Sequence, residues 1–314
     1  MKLALLFAGQ GAQHAGMGAD LYEQFPAFRQ VMDECAAGVD FDLKSLCFFG
    51  PDETLSRTRY TQPCMVAFAA GVTQVLREAG AQPAAAAGLS LGEYSALCAA
   101  GVFTARQAVE LAAFRGAAME QAVQGRASGM AAVLGLDRET LSDVCAKASA
   151  LGVAEIANYN CPGQMAIAGD AAAVERACEL AKEAGARRCL PLKVSGPFHT
   201  SLMAPAAAAL AKRFSGETFG AMNFPVYFNC LGGPMGEGDT IPALLEKQVR
   251  SSVYMEDTLR RLADDGIDRV IEIGPGRVLS GLWKKTVTER KVPVLGVETA
   301  AELAEAVRML QEEN

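Results

Sequence analysis

The chain has 314 residues, 51% of them hydrophobic, enough for one large α/β domain or a large domain with a smaller one, and this excludes a disordered or fibrous protein. A formal net charge of −7 argues against a general nucleic-acid binder, and no apolar run is long enough for a secretory leader or a membrane span. The nine cysteines are odd in number and scattered, with no C-x-x-C pair, so they read as small buried side chains in a reducing compartment, with the cytoplasm as the expected location, and not as a disulfide framework or zinc site.

Leu3 to Phe7 reads as the first core strand. In the loop after it, Gly9-Gln10-Gly11-Ala12-Gln13-His14, His14 stands where a dinucleotide fingerprint needs its third glycine, and no G-K-[ST] follows. Such a loop is either a plain turn or a place from which a backbone amide can meet a tetrahedral intermediate. A helical pattern over Pro63 to Glu78, an apolar run over Ala84 to Gly88, a helix over Ala105 to Val123 opened by a Thr104/Gln107 capping box, and a late strand over Arg269 to Ile273 predict a mostly parallel sheet wrapped by helices. Between Gly129 and Val194 the rhythm changes. MAAVLGL reads as strand, Arg138 to Ala148 as helix, Val153 to Asn158 and Gln164 to Ala168 as strands, Ala172 to Ala184 as helix and Arg188 to Val194 as strand, with Asp137 and Asp170 placed to cap the two helices. That βαββαβ order is the split βαβ of a ferredoxin-like unit. The expected architecture is a large α/β domain over residues 1–125 and 198–314 with a small ferredoxin-like domain inserted over 126–197, joined near Gly125 to Gly129 and Ser195 to Pro197.

Gly88-Leu89-Ser90-Leu91-Gly92 lies between an apolar run and a helical stretch, the context of a nucleophile elbow, although the bare pattern also suits a structural turn. An elbow serine needs a base, and the chain has only two histidines, His14 and His199. His199 is preferred because it follows the exit from the small domain and can face Ser90 across the cleft; its other reading is a histidine flanking the Thr200 to Arg213 helix. The amide of Leu91, next after the serine, is a second donor to an oxyanion. On the Ala105 to Val123 helix, Arg115 projects opposite Arg106, Glu110 and Gln121, into an arc of Leu111, Ala112, Ala118 and Met119. A guanidinium cannot shed its proton, so burial demands an anion: a core carboxylate such as Glu272, or a substrate.

These segments resemble the malonyl-CoA:acyl carrier protein transacylases of bacterial fatty acid synthesis and the acyltransferase domains of polyketide synthases. The likeness is collinear from Leu6 to Leu282 through FAGQGAQ, YTQP, GLSLGEYSAL, the FRG around Arg115, ANYNCPGQ, SGPFHT, KQV and EIGPGRVL. The resemblance implies a hydrolase-like α/β domain with a ferredoxin-like insertion. It implies Ser90 as the acylated nucleophile, His199 as general base, Gln248 as the residue that orients the histidine through its carbonyl, the amides of Gln10 and Leu91 as oxyanion hole, and Arg115 as clamp for the malonyl carboxylate. Phe198 matches the position that accompanies malonyl selectivity, and Asn160 reads either as a cleft-lining residue or as an Asx-type turn residue. The implied substrates are malonyl-CoA and the phosphopantetheine thiol of acyl carrier protein, with no metal or redox cofactor and no nucleic-acid or membrane partner. Arg187, Arg188, Lys284 and Lys285 are candidates for meeting an acidic carrier. Leu89 departs from the histidine common in the family, and Ser252 and Met255 replace a proline and a tryptophan. A serine hydrolase or editing thioesterase, and a silent carrier-binding scaffold, are the rival readings; a buried Arg115 distinguishes against the first, and an intact Ser90 and His199 against the second.

Overall fold

The structure, a computed structural model, describes residues 1–192 and 196–313. In chain order the strands are β1 (Leu3–Phe7), β2 (Pro83–Gly88), β3 (Ser128–Leu134), β4 (Ala154–Cys161), β5 (Gln164–Asp170), β6 (Arg188–Pro191), β7 (Val226–Phe228), β8 (Gly233–Pro234), β9 (Val253–Tyr254), β10 (Arg269–Ile273) and β11 (Val294–Val297). The first sheet runs β11-β10-β1-β2-β7-β8, parallel throughout except for the last pair. All five residues of β1 are buried. A central parallel strand is covered on both faces by helices, which is why LALLF is continuously apolar where an exposed strand would alternate.

Two long helices, Thr58–Glu78 and Ala105–Ala122, pack against each other beside this sheet. Gly116 makes their close approach possible, since a Cβ there would lie 2.6 Å from the carbonyl oxygen of Thr58. The contact brings the first turns of one helix to the Arg115 segment of the other.

The second sheet runs β6-β3-β5-β4-β9, and its first four strands are antiparallel neighbours in the order of a ferredoxin-like split βαβ. The helices Arg138–Ala148 and Ala171–Glu183 cover one face through Val133, Leu141, Val144, Ile156, Ile167 and Ala177. The other face contributes Met130, Ala157, Ala166 and Ala168 to the main core. The fifth strand, β9, comes from the C-terminal half and pairs in parallel with β4. Arg138 adds a link between the two halves: it reaches Asp257 at 2.7 Å and lies over the ring of Tyr159, which stacks on Tyr254 at 5.0 Å.

Three local expectations are corrected. Asp137 caps its helix through the Thr140 amide at 2.8 Å, but the Asp170 carboxylate instead accepts from the Val153 amide and from Arg126, because the end of β5 turns it toward the start of β4. Thr104 accepts from the Gln107 amide at 3.1 Å, yet the Gln107 side chain reaches Glu217 and the Thr218 carbonyl, so the capping box is half formed. Cys178 and Cys189 are joined as a disulfide, with their Cα atoms 5.6 Å apart, because the helix Ala171–Glu183 lies over β6; the other seven cysteines are free and buried. β6 covers Arg188–Pro191; residues 193–195, which include the Val194 end of the expected strand and the Ser195 end of the expected domain junction, lie outside the described residues.

Candidate active site

β1 and β2 are adjacent and parallel, so the loops at their C-terminal ends open on the same edge of the sheet, where ligands of open α/β folds bind. After β2 the chain turns through Leu89 and Ser90 directly into the helix Gly92–Ala99. A Cβ on Gly88 would lie 1.9 Å from the carbonyl carbon of Gly92, and one on Gly92 would lie 2.2 Å from the Phe7 oxygen. Both glycines are therefore required by backbone contact, which makes the turn more than a flexible link. Among the described residues, Ser90 and His199 are the non-glycines with left-handed φ, 52° and 63°. Backbone strain of this kind persists where surrounding structure over-determines it, commonly at reacting residues.

The Ser90 Oγ and His199 Nε2 are 2.7 Å apart, and His199 Nδ1 is 2.9 Å from the carbonyl oxygen of Gln248. A carbonyl only accepts, so Nδ1 carries the proton and the Nε2 lone pair faces the serine hydroxyl. No carboxylate is needed for that orientation. Burial first, and the Arg115 guanidinium second, push the imidazolium pKa down to about 4, so the ring is neutral at neutral pH. His14, by contrast, is exposed, pairs with Glu298 at 2.7 Å, and is not among the residues that line the cavity over Ser90.

Arg115 is fully buried. Its Nη1 donates to Gln62 Oε1 at 2.9 Å, its Nη2 to Gln248 Oε1 at 2.9 Å and to Ser90 Oγ at 3.2 Å, and its Nε has no partner. Among the described residues no carboxylate forms an ion pair with it. Glu272, the carboxylate considered for that role, accepts from the Leu279 and Ser280 amides at 2.9 and 2.8 Å. The Gln248 side chain also donates to the Ser90 carbonyl at 2.8 Å, so this one residue touches base, cation and nucleophile.

A cavity of about 200 Å³ opens over Ser90 and is lined by Gln10, Arg115, Met119, Asn160, Phe198 and His199. The amides of Gln10 and Leu91 make no hydrogen bond within the described protein and remain available. Asn160 stands in β4 and not in an Asx turn, which removes that alternative. β4 slips register between Ile156 and Asn158 and again between Tyr159 and Cys161. The first bulge reverses the face that the following residues present, and so Asn158 and Asn160, two residues apart, line the cavity while Ala154 and Ile156 pack on the opposite face. Phe198 is 7% exposed and forms part of the wall.

Sequence reasoning assigned no part to Asn158, Gln62, Asn229 or Glu93. Gln62 lies in the quoted YTQP segment, and Glu93 in GLSLGEYSAL, but neither carries a local pattern that names its partner. The departures settle into local roles: Leu89 lines the cavity, the Ser252 hydroxyl donates to the Ile156 carbonyl at 2.6 Å, and Met255 is fully buried beside Leu259, Leu262 and Trp283. Arg187, Arg188 and Lys285 surround a separate cavity of about 380 Å³ on the surface, while Lys284 is exposed outside it.

Residues 4–311 match the family described as acyl transferase domain. The malonyl CoA-acyl carrier protein transacylase of Bacillus subtilis is 42% identical over the whole of this chain and 98% of its own length, and that of Escherichia coli strain K12 is 40% identical over 91% of this chain and 93% of its own. Among solved structures, a malonyl-transacylase in complex with its type II polyketide synthase acyl-carrier protein superposes with a TM-score of 0.94 at 38% identity, covering 98% of this chain and all (100%) of that one. The transacylase of Streptococcus pneumoniae gives 0.92 at 44% identity, over 98% of this chain and 100% of its own. With this elbow, this fold and this likeness along its length, the chain belongs to the malonyl CoA-acyl carrier protein transacylase family of acyl transferases.

Proposed function

We propose that this chain moves a malonyl group from malonyl-CoA to the phosphopantetheine thiol of an acyl carrier protein, through a malonyl ester on Ser90, in fatty acid or polyketide synthesis. His199 Nε2 takes the Ser90 hydroxyl proton as Oγ attacks the thioester carbonyl, and the amides of Gln10 and Leu91 receive the oxyanion. Collapse expels the coenzyme A thiolate, which leaves with the proton from the imidazolium. The carrier thiol then gives its proton to His199, attacks the ester, and Ser90 leaves with that proton. The Gln248 carbonyl keeps the imidazole in the required tautomer throughout. The reaction requires nothing beyond these side chains and the two substrates.

The observation that carries this reading is the buried Arg115, a permanent cation 3.2 Å from the serine oxygen with no ionic partner among the described residues. A hydrolase of neutral esters has no use for it; a substrate with a free carboxylate does. We read residues 126–197 as an inserted domain whose sheet roofs the cavity on a large domain of 1–125 and 198–314. Arg187, Arg188 and Lys285 offer positive charge to an acidic carrier beside that roof. No helix among the described residues is long and apolar enough to cross a membrane, and a cytoplasmic location fits the substrates. The test is intact-protein mass spectrometry after brief exposure to malonyl-CoA, acetyl-CoA or methylmalonyl-CoA. One malonyl adduct on Ser90, formed in preference to acetyl, is expected; an adduct on a cysteine overturns the mechanism.

Because His199 stays neutral down to about pH 4, the single-turnover acylation rate should hold nearly level from pH 8 to 5 and fall only below that. A limb near 6.5, the ordinary value for histidine, would mean that the imidazole is not buried as described. Phe198 is expected to exclude a methyl branch from the α-carbon, a discrimination worth about 1 to 3 kcal/mol. Phe198→Ser should therefore raise methylmalonyl transfer relative to malonyl in a competition assay, and an unchanged ratio removes Phe198 from the specificity wall.

A further inference from the structure

The strained elbow is gripped from one side by a residue to which the reaction above gives no part. Asn229 follows β7, is fully buried, and directs its side chain at two atoms of the turn. Its Oδ1 accepts from the Ser90 amide at 2.6 Å and its Nδ2 donates to the Gly88 carbonyl at 2.7 Å. In a parallel ladder the carbonyl before a residue and the amide after it bond to the N–H and C=O of one residue of the neighbouring strand. β2 and β7 pair in parallel at Ala86 with Val226 and at Ala87 with Tyr227, and the Asn229 side-chain amide supplies the next rung, bracketing Leu89, after β7 has ended at Phe228. On the other side, the Leu89 amide donates to Phe7 at 3.0 Å. The Asn229 backbone is itself tied down: its amide donates to Glu93 Oε2 at 2.6 Å and its carbonyl accepts from Tyr254 at 2.9 Å. Glu93 is also fully buried and lies three residues after the serine, on the helix that the elbow starts.

We propose that Asn229, held by Glu93, is a positioning residue for acyl transfer: its side-chain amide takes the place of a strand residue's N–H and C=O and fixes the left-handed Ser90 so that Oγ stays aligned with His199 Nε2 and with the free amides of Gln10 and Leu91. The inference rests on the reading of Ser90 as nucleophile. Losing the clamp leaves Arg115 and the cavity in place. The cost therefore falls on the rate of acylation and not on malonyl-CoA binding, and a small misplacement of a reacting atom is worth about 100-fold.

The experiment measures single-turnover malonylation of Ser90 by rapid quench and intact mass in the full chain, for the unaltered protein, Asn229→Ala and Asn229→Asp, with malonyl-CoA concentration varied. Asn229→Ala is expected to acylate about 100-fold more slowly, with half-saturation within about threefold of the unaltered protein, and to reach the same final fraction labelled. A merely structural role would lower the final fraction and leave the rate constant of the active remainder unchanged, which overturns the proposal. Should Asn229→Ala fail to fold, Asn229→Asp carries the test, because it keeps the acceptor for the Ser90 amide and can donate to the Gly88 carbonyl only when its new carboxyl is protonated. Its rate relative to the unaltered protein at the same pH is expected to rise as pH falls from 8 to 5, and a flat ratio near one overturns the clamp. An unaltered protein with no adduct on Ser90 overturns the nucleophile assignment and the clamp with it, whereas a variant acylating Ser90 at the unaltered rate overturns the clamp alone.

Discussion

Ser90→Ala is expected to lower malonyl transfer by about 10⁵- to 10⁶-fold, a barrier increase of about 7 to 8 kcal/mol. The hydroxyl is the atom that meets both His199, at 2.7 Å, and the Arg115 guanidinium, at 3.2 Å, so its removal deletes the covalent route itself. His199→Ala should cost nearly as much, since the proton then has nowhere to go as the oxygen attacks. The double variant should be no slower than the slower of the singles, because groups that act as one unit are lost only once. The measurement is transfer of labelled malonyl to a carrier protein, with the adduct located by mass spectrometry. Transfer retained in Ser90→Ala, with the label on a cysteine, would defeat the assignment; the free thiols are all buried, burial pushes Cys35 up, and a hydrogen bond with Cys47, then burial, pushes Cys64 up, each away from thiolate.

Arg115→Ala carries the second large effect, and its signature is selectivity. Truncating one partner of a buried charged pair costs about 2 to 5 kcal/mol, so malonyl transfer should fall by tens to thousands of fold. Acetyl and other uncharged groups should lose far less, and can gain, because an unpaired buried cation no longer stands beside them. Arg115→Lys should recover little, since an ammonium cannot reach Gln62 and Gln248 in the fixed fork that the guanidinium uses. A second readout follows from the same charge. Arg115 helps hold the His199 pKa down, so its removal should move the acid limb of the acylation profile upward from about 4. Equal loss of malonyl and acetyl transfer by a normally folded variant would make Arg115 a structural residue.

The helical phase of Arg115 was legible from the chain alone because it depends only on neighbours three and four residues away, and the structure buries that side chain as the phase requires. The same holds for the apolar run of β1 and for the βαββαβ order of the second sheet, where each element answers to a local period. The elbow, too, was readable, since glycines at 88 and 92 relieve clashes that arise within the turn and against the strand beside it. Counting histidines left two, and the His199 ring is the one that meets Ser90.

Partnerships across the chain followed a different logic. Gln248 meets Ser90 over a separation of 158 residues and Asn229 meets it over 139, distances at which no periodicity constrains a side chain. Whether Arg115 faced Glu272 or open space was undecidable from its helix, because the answer depends on the Leu279 and Ser280 amides, which engage that carboxylate from a different segment. Cys178 and Cys189 gave no pairing signal in their spacing, yet packing a helix over β6 brings them together. The bulges in β4 make the same point about phase. A strand pattern presumes strict alternation, and a single inserted residue reverses it, so Asn158 and Asn160 reach the cavity, opposite the face of Ala154 and Ile156, because β4 carries one residue more than β5 between Ile156 and Asn158.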